Sequence, residues 1–344
     1  MPAVIGLDIG SFAFRAVEVS IKNKTNPPQY VLERALECDK CVDTDPKKMT
    51  ENLKHFVKDA GFGTKNAVLA LPESHVFSTI LNIPLQTEKE IKNYLEIEGS
   101  KIFPRPLSEL FYSFVILGPN ENNKTEMDVN VVVSGQEFVN GLFAAAKNAG
   151  LTVLGIESEA YAIVRALSRS QVLAPNDALL VVNVGLVDVD MMVLRNGYVR
   201  FSRNVGLGGT TFNKAIAQAL AVTEEQAEEY KKSYGLDNVA MEGKIATAMK
   251  PVAETLITEV KRTMTFYSSR NSFCEFKKVV FSGGSAVMPG LLAYSAENLG
   301  MEVELANPFV NIEFSSRVAS RRDELLNLGP MYTVAMGLAL KEIV

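Results

Sequence analysis

Two stretches of the sequence have the same design, and their repetition restricts the fold more than any other feature. Each begins with an apolar strand that runs into a glycine turn and returns as a second strand. The first covers residues 4–20; the second covers residues 179–204, where Asn196 and Gly197 predict a two-residue turn of type I′. A unit that recurs about 180 residues along the chain indicates two related halves that face each other.

Strands and helices alternate over the 344 residues, which predicts an α/β fold. Apolar residues at helical spacing predict helices over residues 47–60, 87–102, 136–148, 157–170, 211–221, 224–234, 251–267 and 330–343. We expect a first half over residues 1–74, an inserted subdomain over residues 75–156 and a second half over residues 157–344. Residues 157–175 hold a connecting helix, and residues 330–344 form a final helix that packs back on the first half.

The charge and hydropathy of the chain exclude two classes of partner. A net charge of −5 is unsuited to a protein that binds the phosphate backbone of nucleic acid, which needs clustered Lys and Arg. A membrane span needs about 18 consecutive apolar residues, and the nearest run, residues 178–194, is interrupted by Asn183, Asp188 and Asp190. The first residues also do not resemble a secretory signal. We therefore expect a cytoplasmic protein that does not insert into a membrane itself.

Cys38 and Cys41 form a C-x-x-C motif, which occurs in zinc sites and redox sites. The sequence has no second pair to complete a zinc site, and the nearest histidine is His55. We expect two loop thiols rather than a metal or redox site.

The first glycine turn has the residue types of a phosphate site. Gly10 and Ser11 present backbone N–H groups at a tight turn, and glycine lets a phosphate approach where a Cβ would block it. Asp8 suits Mg²⁺ held through water, because this ion prefers oxygen ligands and keeps much of its hydration shell. Taken alone, the turn fits an ordinary hairpin with a surface aspartate equally well. Further turns at residues 183–187 and 283–290 favour the phosphate site.

The spacing of these three turns resembles that of the actin-like ATPase superfamily, in which a nucleotide binds between two halves. Within it, the sequence is most similar to the type IV pilus assembly protein PilM family. The matching stretches are residues 5–20, 71–110, 206–220, 281–291 and 306–309. The resemblance implies an actin-like ATPase fold with an inserted subdomain of the kind shared by PilM and the division protein FtsA. It also implies ATP and Mg²⁺ as cofactors.

The resemblance assigns site residues by position in the family motifs. The first phosphate loop would comprise Asp8, Gly10, Ser11 and Phe12, with Asp8 toward the hydrated magnesium, and the second would contain Asn183 and Gly185. Gly283, Gly284 and Ser285 would line the adenosine pocket, Glu259 and Arg262 would approach the base or ribose, and the amides of Gly208, Gly209 and Thr210 would meet an anion. Glu159 would orient an attacking water; an exposed helix carboxylate beside Glu157 is an equal alternative.

The second phosphate loop departs from the family pattern. Asn183 replaces an aspartate, and Leu186 and Val187 replace hydroxyl residues. The loss removes a partner of the magnesium shell and donors to the terminal phosphate. We therefore expect nucleotide binding with weak or absent hydrolysis.

The resemblance implies an ATP-binding scaffold of a type IV pilus or related type II secretion complex. Its partner would be the cytoplasmic N-terminal peptide of a PilN-like membrane protein, bound in a groove beside the inserted subdomain that Phe77, Ile80 and Ile83 border. The scaffold would thus lie at the inner face of the cytoplasmic membrane, with pilus motor ATPases and self-association as further partners. The alternatives are an FtsA-like polymerising protein, whose C-terminal membrane anchor we do not expect here, and an active ATPase or kinase of the superfamily.

Overall fold

The computed structural model describes residues 3–23, 28–43, 45–121, 123–171, 174, 177–271 and 274–341. Its strands are β1 (Ala3–Ile9), β2 (Phe14–Asn23), β3 (Gln29–Cys38), β4 (Asn66–Leu71), β5 (Phe77–Pro84), β6 (Leu110–Pro119), β7 (Glu126–Gly135), β8 (Thr152–Ser158), β9 (Asp177–Val184), β10 (Val189–Arg195), β11 (Tyr198–Val205), β12 (Glu275–Ser282), β13 (Glu302–Leu305) and β14 (Ile312–Phe314). Its helices are α1 (Pro46–Ala60), α2 (Glu88–Ile102), α3 (Gln136–Asn148), α4 (Glu159–Leu167), α5 (Gly209–Leu220), α6 (Glu224–Tyr234), α7 (Lys244–Arg270), α8 (Leu291–Leu299), α9 (Arg322–Asn327) and α10 (Thr333–Ala339).

The order of strands in the two large sheets confirms the predicted repeat. One sheet has the order β14-β3-β2-β1-β4-β8, and the other has the order β11-β10-β9-β12-β13. In both, the first strand of the repeat pairs antiparallel with the next strand and parallel with a later one. Asn196 and Gly197 both have positive φ, 54° and 78°, as the expected type I′ turn requires.

Local sequence signals determine where several helices begin. Asp45 accepts a hydrogen bond from the backbone N–H of Lys47 at the start of α1, and Gly61 ends that helix with a positive φ. Thr87 and Glu90 form a capping box at the start of α2. These caps satisfy backbone groups that a helix leaves unpaired, so both helices lie close to their predicted positions.

Helices α4 and α10 join the two halves. Apolar residues of α4 share one buried cluster with Val68 of the first sheet and Val181 of the second. A Cβ added to Gly337 of α10 would lie 1.8 Å from the carbonyl oxygen of Ala162 in α4, and one added to Gly6 of β1 would lie 1.8 Å from that of Ala335. Such close backbone contacts are possible only for glycine.

The inserted subdomain contacts both halves. Its sheet has the order β5-β7-β6, and α2 packs on it through a core that includes Ile83 and Leu95. On the side of the second half, Arg200 of β11 forms an ion pair with Asp128 at 3.2 Å. The side-chain amide of Asn130 also donates to the carbonyl oxygen of Val199 at 3.3 Å. The limits of the three domains stay predictions.

Two helix predictions need correction. Residues 157 and 158 continue strand β8, which pairs with β4, so the connecting helix begins at Glu159. Helix α7 begins at Lys244 and carries Pro251 inside it. An internal proline costs about 3 kcal/mol; burial of Ile245 and Met249 in the core of the second half offsets this cost.

The end of the chain and several short elements also differ from expectation. The expected final helix is a 3₁₀ turn at residues 329–332 followed by α10, and residues 342 and 343 lie outside the described residues. The sequence patterns did not indicate α8, α9, β13 or β14. Within the described ranges, no helix has the length and apolar character that crossing a bilayer requires.

Replacing Gly337 by alanine tests the contact between α4 and α10. We expect Gly337→Ala to lower the free energy of unfolding by about 3 kcal/mol, because the new methyl group overpacks a backbone contact. Gly141→Ala is the matched control, since a Cβ at Gly141 in α3 meets nothing within 4 Å. That variant should be neutral or more stable by up to about 1 kcal/mol. Equal stabilities of the two variants in chemical denaturation would contradict this packing.

Candidate functional site

A cavity of about 400 Å³ lies where the three glycine turns meet. Its wall brings together many of the predicted site residues: Asp8, Gly10, Ser11, Phe12, Glu159, Asn183, Gly185, Gly283, Gly284 and Ser285. The first turn comes from one half and the other two come from the second half. The volume lies within the range of small-ligand pockets in proteins.

The first turn presents an unpaired carboxylate to this cavity. Asp8 is at the end of β1, opposite Arg15 on β2, and Gly10 closes the turn by donating its N–H to the carbonyl oxygen of Ala13 at 3.2 Å. The Asp8 side chain is only 7% exposed, and its Oδ1 has no hydrogen-bond partner. Arg15 instead pairs with Glu37 at 2.6 Å. A buried carboxylate without a partner is costly unless a ligand compensates it.

Further carboxylates surround Asp8. Burial raises the pKa of Asp8 to about 6, although Arg15 opposes this rise, and burial raises the pKa of Asp190 to about 7. Burial and the charges of Asp8 and Asp190 raise the pKa of Glu159 well above its usual value. Glu73 also lines the cavity and accepts a hydrogen bond from the backbone N–H of Ala160 at 3.0 Å. The cleft therefore concentrates carboxyl groups whose ionised forms a bound cation would favour.

The carboxylates do not form a multi-ligand metal cluster. No group of three or more His, Cys, Asp or Glu side chains in the described ranges is close enough to hold one. The expected contact of Asp8 with Mg²⁺ through water stays a prediction.

The second and third turns pack directly on each other. Gly283 has φ of 90°, and a Cβ there would lie 2.5 Å from the carbonyl oxygen of Val184. Ser285 donates its hydroxyl to the carbonyl oxygen of Gly185 at 3.1 Å. The second half therefore contributes one continuous wall made of two turns.

The amides of Gly208, Gly209 and Thr210 do not face an anion, contrary to our expectation. They donate to the carbonyl oxygens of residues 187, 185 and 186, at 3.0, 3.0 and 2.8 Å. These hydrogen bonds hold the second turn against the start of α5. The glycines are needed for contact: a Cβ on Gly209 would lie 2.5 Å from the hydroxyl of Ser285.

The helix that faces the cavity is α6 rather than α7. Glu259 and Arg262 of α7 do not line the cavity: Glu259 pairs with Arg203 at 2.6 Å, and Arg262 lies 3.6 Å from Glu259. Their predicted contact with the base or ribose stays a prediction without support from this placement. Three charged residues of α6 line the wall instead: Glu228, Lys231 and Lys232.

Lys231 is the most constrained of these α6 side chains. It is 2% exposed, and its ammonium group donates to Glu228 at 2.6 Å and to the carbonyl oxygen of Gly209 at 3.2 Å. We did not predict Lys231, Glu228 or Glu73 as site residues. The sequence pattern predicts a helix over residues 224–234, but it does not show which charged residues of that helix face the cleft.

Glu159 and Glu157 occupy different environments. Glu159 begins α4 and lines the cleft, while Glu157 lies on β8 and pairs with Arg165 at 2.6 Å. The placement fits the alternative in which Glu159 faces a bound ligand. Its role in orienting water stays a prediction.

Cys38 and Cys41 are joined in a disulfide, whereas we expected free thiols. Asp39, between them, lines the cavity. The C-x-x-C turn therefore belongs to the rim of the cleft.

Comparison with known protein families shows which family the chain belongs to. The family model for type IV pilus assembly protein PilM matches residues 6–343. The chain belongs to this family. Among solved structures, it is 25% identical to a chain of the PilM-PilN type IV pilus biogenesis complex, with a TM-score of 0.84 over 98% of this chain and 97% of that one.

Two further matches are more distant. MreB 5 of Spiroplasma citri bound to AMPPNP is 14% identical, with a TM-score of 0.53 over 98% of this chain and 95% of that chain, which shows the fold alone. Cell division protein FtsA of Bacillus subtilis (strain 168) is 23% identical over 210 residues, 54% of this chain and 46% of that protein. The chain therefore matches less than half the length of this curated relative. The fold is that of the actin-like ATPases, as the sequence predicted.

The raised pKa of Asp8 predicts how stability depends on pH. A carboxyl group whose pKa is higher in the folded state favours folding at low pH, and this contribution is lost as pH rises from about 4 through 6. In ligand-free protein, Asp8→Asn should therefore raise the free energy of unfolding at pH 8 by up to about 3 kcal/mol, since a change of one in pKa corresponds to about 1.4 kcal/mol. The gain should vanish near pH 4.

Chemical denaturation at pH 4, 6 and 8 measures this difference. Glu302→Gln serves as the control, because Glu302 is exposed on β13. A gain for Asp8→Asn that is the same at all three pH values would contradict the assignment.

Proposed function

We propose that this protein is a nucleotide-binding scaffold of type IV pilus assembly, with ATP and Mg²⁺ in the cleft and a peptide of a PilN-like membrane protein in a separate groove. The observation that carries the nucleotide proposal is the cavity where turns from both halves meet, together with the unpaired Oδ1 of Asp8. The likeness to a chain of a PilM-PilN complex supports the peptide proposal.

The residues of the cleft fit a magnesium nucleotide. Backbone amides at Ser11 and Phe12 would hold phosphate oxygens, since the Gly10 amide already donates to Ala13, and Gly185 leaves space for them on the opposite wall. Glu228 and Lys232 also line the cavity and would offer polar groups to the nucleotide, and Gly284 leaves room for the base. The magnesium ion supplies charge neutralisation of the phosphates. Bound nucleotide then favours whichever state of the cleft holds it more tightly.

The second turn does not favour fast hydrolysis. Leu186 lines the cavity and Val187 is 50% exposed, so neither offers a hydroxyl donor to a terminal phosphate. Positioning of the attacking water by Glu159 accelerates the reaction only if the phosphate is also clamped. We propose that ATP acts mainly as a conformational ligand and that release of phosphate is slow or absent.

A second cavity, of about 220 Å³, is the proposed peptide groove. It lies between β6, at one edge of the subdomain sheet, and β8, at one edge of the first large sheet. Phe111, Phe114, Ile156 and Tyr161 give it apolar and aromatic walls. An extended peptide gains main-chain hydrogen bonds beside an open strand edge.

None of the three residues that we expected to border the peptide groove lines this second cavity. Ile83 is 1% exposed and belongs to the subdomain core. Phe77 borders a different cavity, near Arg105 and Phe138, and Ile80 lines neither cavity. The three residues lie on β5, at the opposite edge of the sheet from β6.

The proposed location follows from the partner. A PilN-like membrane protein would hold the scaffold at the inner face of the cytoplasmic membrane. Motor ATPases, self-association, an FtsA-like filament and an active ATPase or kinase stay predictions. Sedimentation with nucleotide and assay of released phosphate would distinguish these alternatives from the scaffold.

Calorimetric titration with ATP, with and without Mg²⁺, tests the nucleotide proposal. We expect binding that Gly284→Val weakens at least about tenfold, because the larger side chain enters the cavity beside Arg15. Gly141→Val, at an open surface position, should bind as the wild type does. No binding by folded wild-type protein would overturn the proposal.

Charge in the groove tests the peptide proposal. Phe111 of the groove and Phe143 of α3 are 46% and 44% exposed, and Phe143 does not line the groove. We expect Phe111→Glu to weaken binding of a synthetic N-terminal peptide of the PilN-like protein at least about tenfold, since a buried charge is costly. Phe143→Glu should leave it unchanged. Fluorescence anisotropy measures both affinities; equal losses would place the peptide elsewhere.

A further inference from the structure

We propose that Asp190 supplies the carboxylate that Asn183 does not provide, and that Asp190 and Asp8 together hold the hydrated divalent cation of the bound nucleotide. This inference rests on the proposed nucleotide function. It assigns the role to a residue on the strand after the second turn, outside the motif that the family resemblance identifies.

The sheet register places Asp190 beside the altered position. In the antiparallel pair β9 and β10, Asp190 is directly opposite Asn183. Opposite residues in such a pair have Cα atoms about 5 Å apart, so the side chain of one can reach the space beside the other. The side-chain amide of Asn183 donates to Oδ2 of Asp190 at 3.4 Å, and both residues line the cavity. Asp190 therefore places a carboxylate on the strand next to Asn183, at the same level of the sheet.

Asp190 is buried, and its charge has no cationic partner within the protein. It is 6% exposed and forms no salt bridge to a lysine or arginine of the described residues. Its hydrogen bonds come from neutral amides: Asn204 donates to Oδ1 at 2.7 Å, in addition to the longer bond from Asn183. Two amides fix the direction of the carboxylate while leaving its negative charge uncompensated. A buried carboxyl group in this condition either takes up a proton or is stabilised in its ionised form by a bound cation.

Asp8 provides an independent observation on the opposite wall. Its side chain is also more than nine-tenths buried, and Oδ1 has no hydrogen-bond partner. Asp8 comes from the first half, Asp190 comes from the second half, and both line the same cavity. A cation held between them through water would draw the two walls together, which would link binding to the state of the cleft.

Asp188 is the nearest alternative source of the carboxylate. It lies in the turn before β10, is more exposed than Asp190, and accepts a hydrogen bond from Asn204 at 2.9 Å. It is not opposite Asn183 in the sheet. Asp188→Asn is therefore the matched control, because it removes the same charge from the same wall at a position that the register does not favour.

The test measures how strongly Mg²⁺ improves the affinity for AMPPNP. Calorimetry gives the ratio of Kd without and with Mg²⁺ for wild type, Asp190→Asn, Asp188→Asn and the exchange variant Asn183→Asp/Asp190→Asn. We expect Asp190→Asn to lower this ratio at least about tenfold, as loss of outer-shell partners typically does. The exchange variant should restore the ratio to within about threefold, and Asp188→Asn should resemble the wild type. The electron paramagnetic resonance spectrum of bound Mn²⁺ should differ from that of the wild type only in Asp190→Asn.

Two results would overturn the proposal. One is a ratio of Kd without and with Mg²⁺ that is unchanged in folded Asp190→Asn. The other is a ratio that falls in Asp188→Asn and not in Asp190→Asn. If Asp190→Asn does not fold, the exchange variant and Asp190→Ser give the same comparison, and failure of the exchange variant to keep the ratio contradicts the inference. Wild-type protein that binds AMPPNP equally well with and without Mg²⁺ refutes this inference and the proposed role of Mg²⁺ but leaves nucleotide binding in place, whereas absence of all AMPPNP binding refutes the nucleotide proposal as well.

Discussion

The contact between helices α4 and α10 is the constraint on which the cleft depends. Gly337 lies against the backbone of Ala162, and Gly6 lies against that of Ala335. Neither contact has room for an additional side-chain atom, and separating either pair would open a cavity. Because α4 also packs on both large sheets, this contact positions the halves relative to each other. It also directs the first turn of α4, with Glu159, into the cleft. The site is thus a product of backbone contacts some distance from it.

The cleft also carries negative charge that the protein itself does not compensate. Asp8 and Asp190 are both buried in the wall of one cavity, and Arg15, the cation opposite Asp8 in the sheet, pairs with Glu37 instead. Burial without a cation costs stability in the ligand-free state. A magnesium nucleotide would recover this cost on binding, because any ligand that prefers the folded state stabilises it. The same arrangement that weakens the empty protein therefore favours the complex.

Much of this organisation could be predicted from the sequence. Few folds repeat a strand, a glycine turn and a second strand at such a distance along the chain. The sequence therefore predicted the two related halves and the turns at Asp8 and Gly283. Contacts between residues far apart in the sequence could not be predicted in this way. Nothing in residues 206–210 shows that their amides bond to the second turn, and no spacing distinguishes the charged face of α6 from that of α7. Likewise, Pro251 reads as a helix start unless the burial of residues before it is known.

The central claim is that one ligand joins the two halves through their glycine turns. A crystal structure of the protein with AMPPNP and Mn²⁺ tests it most directly, with anomalous scattering to locate the metal. The account predicts phosphate density between Ser11 and Gly185, the base beside Gly284, and a manganese peak that reaches Asp8 through water. A cleft that stays empty at saturating AMPPNP, or a nucleotide bound on one half alone, would contradict it.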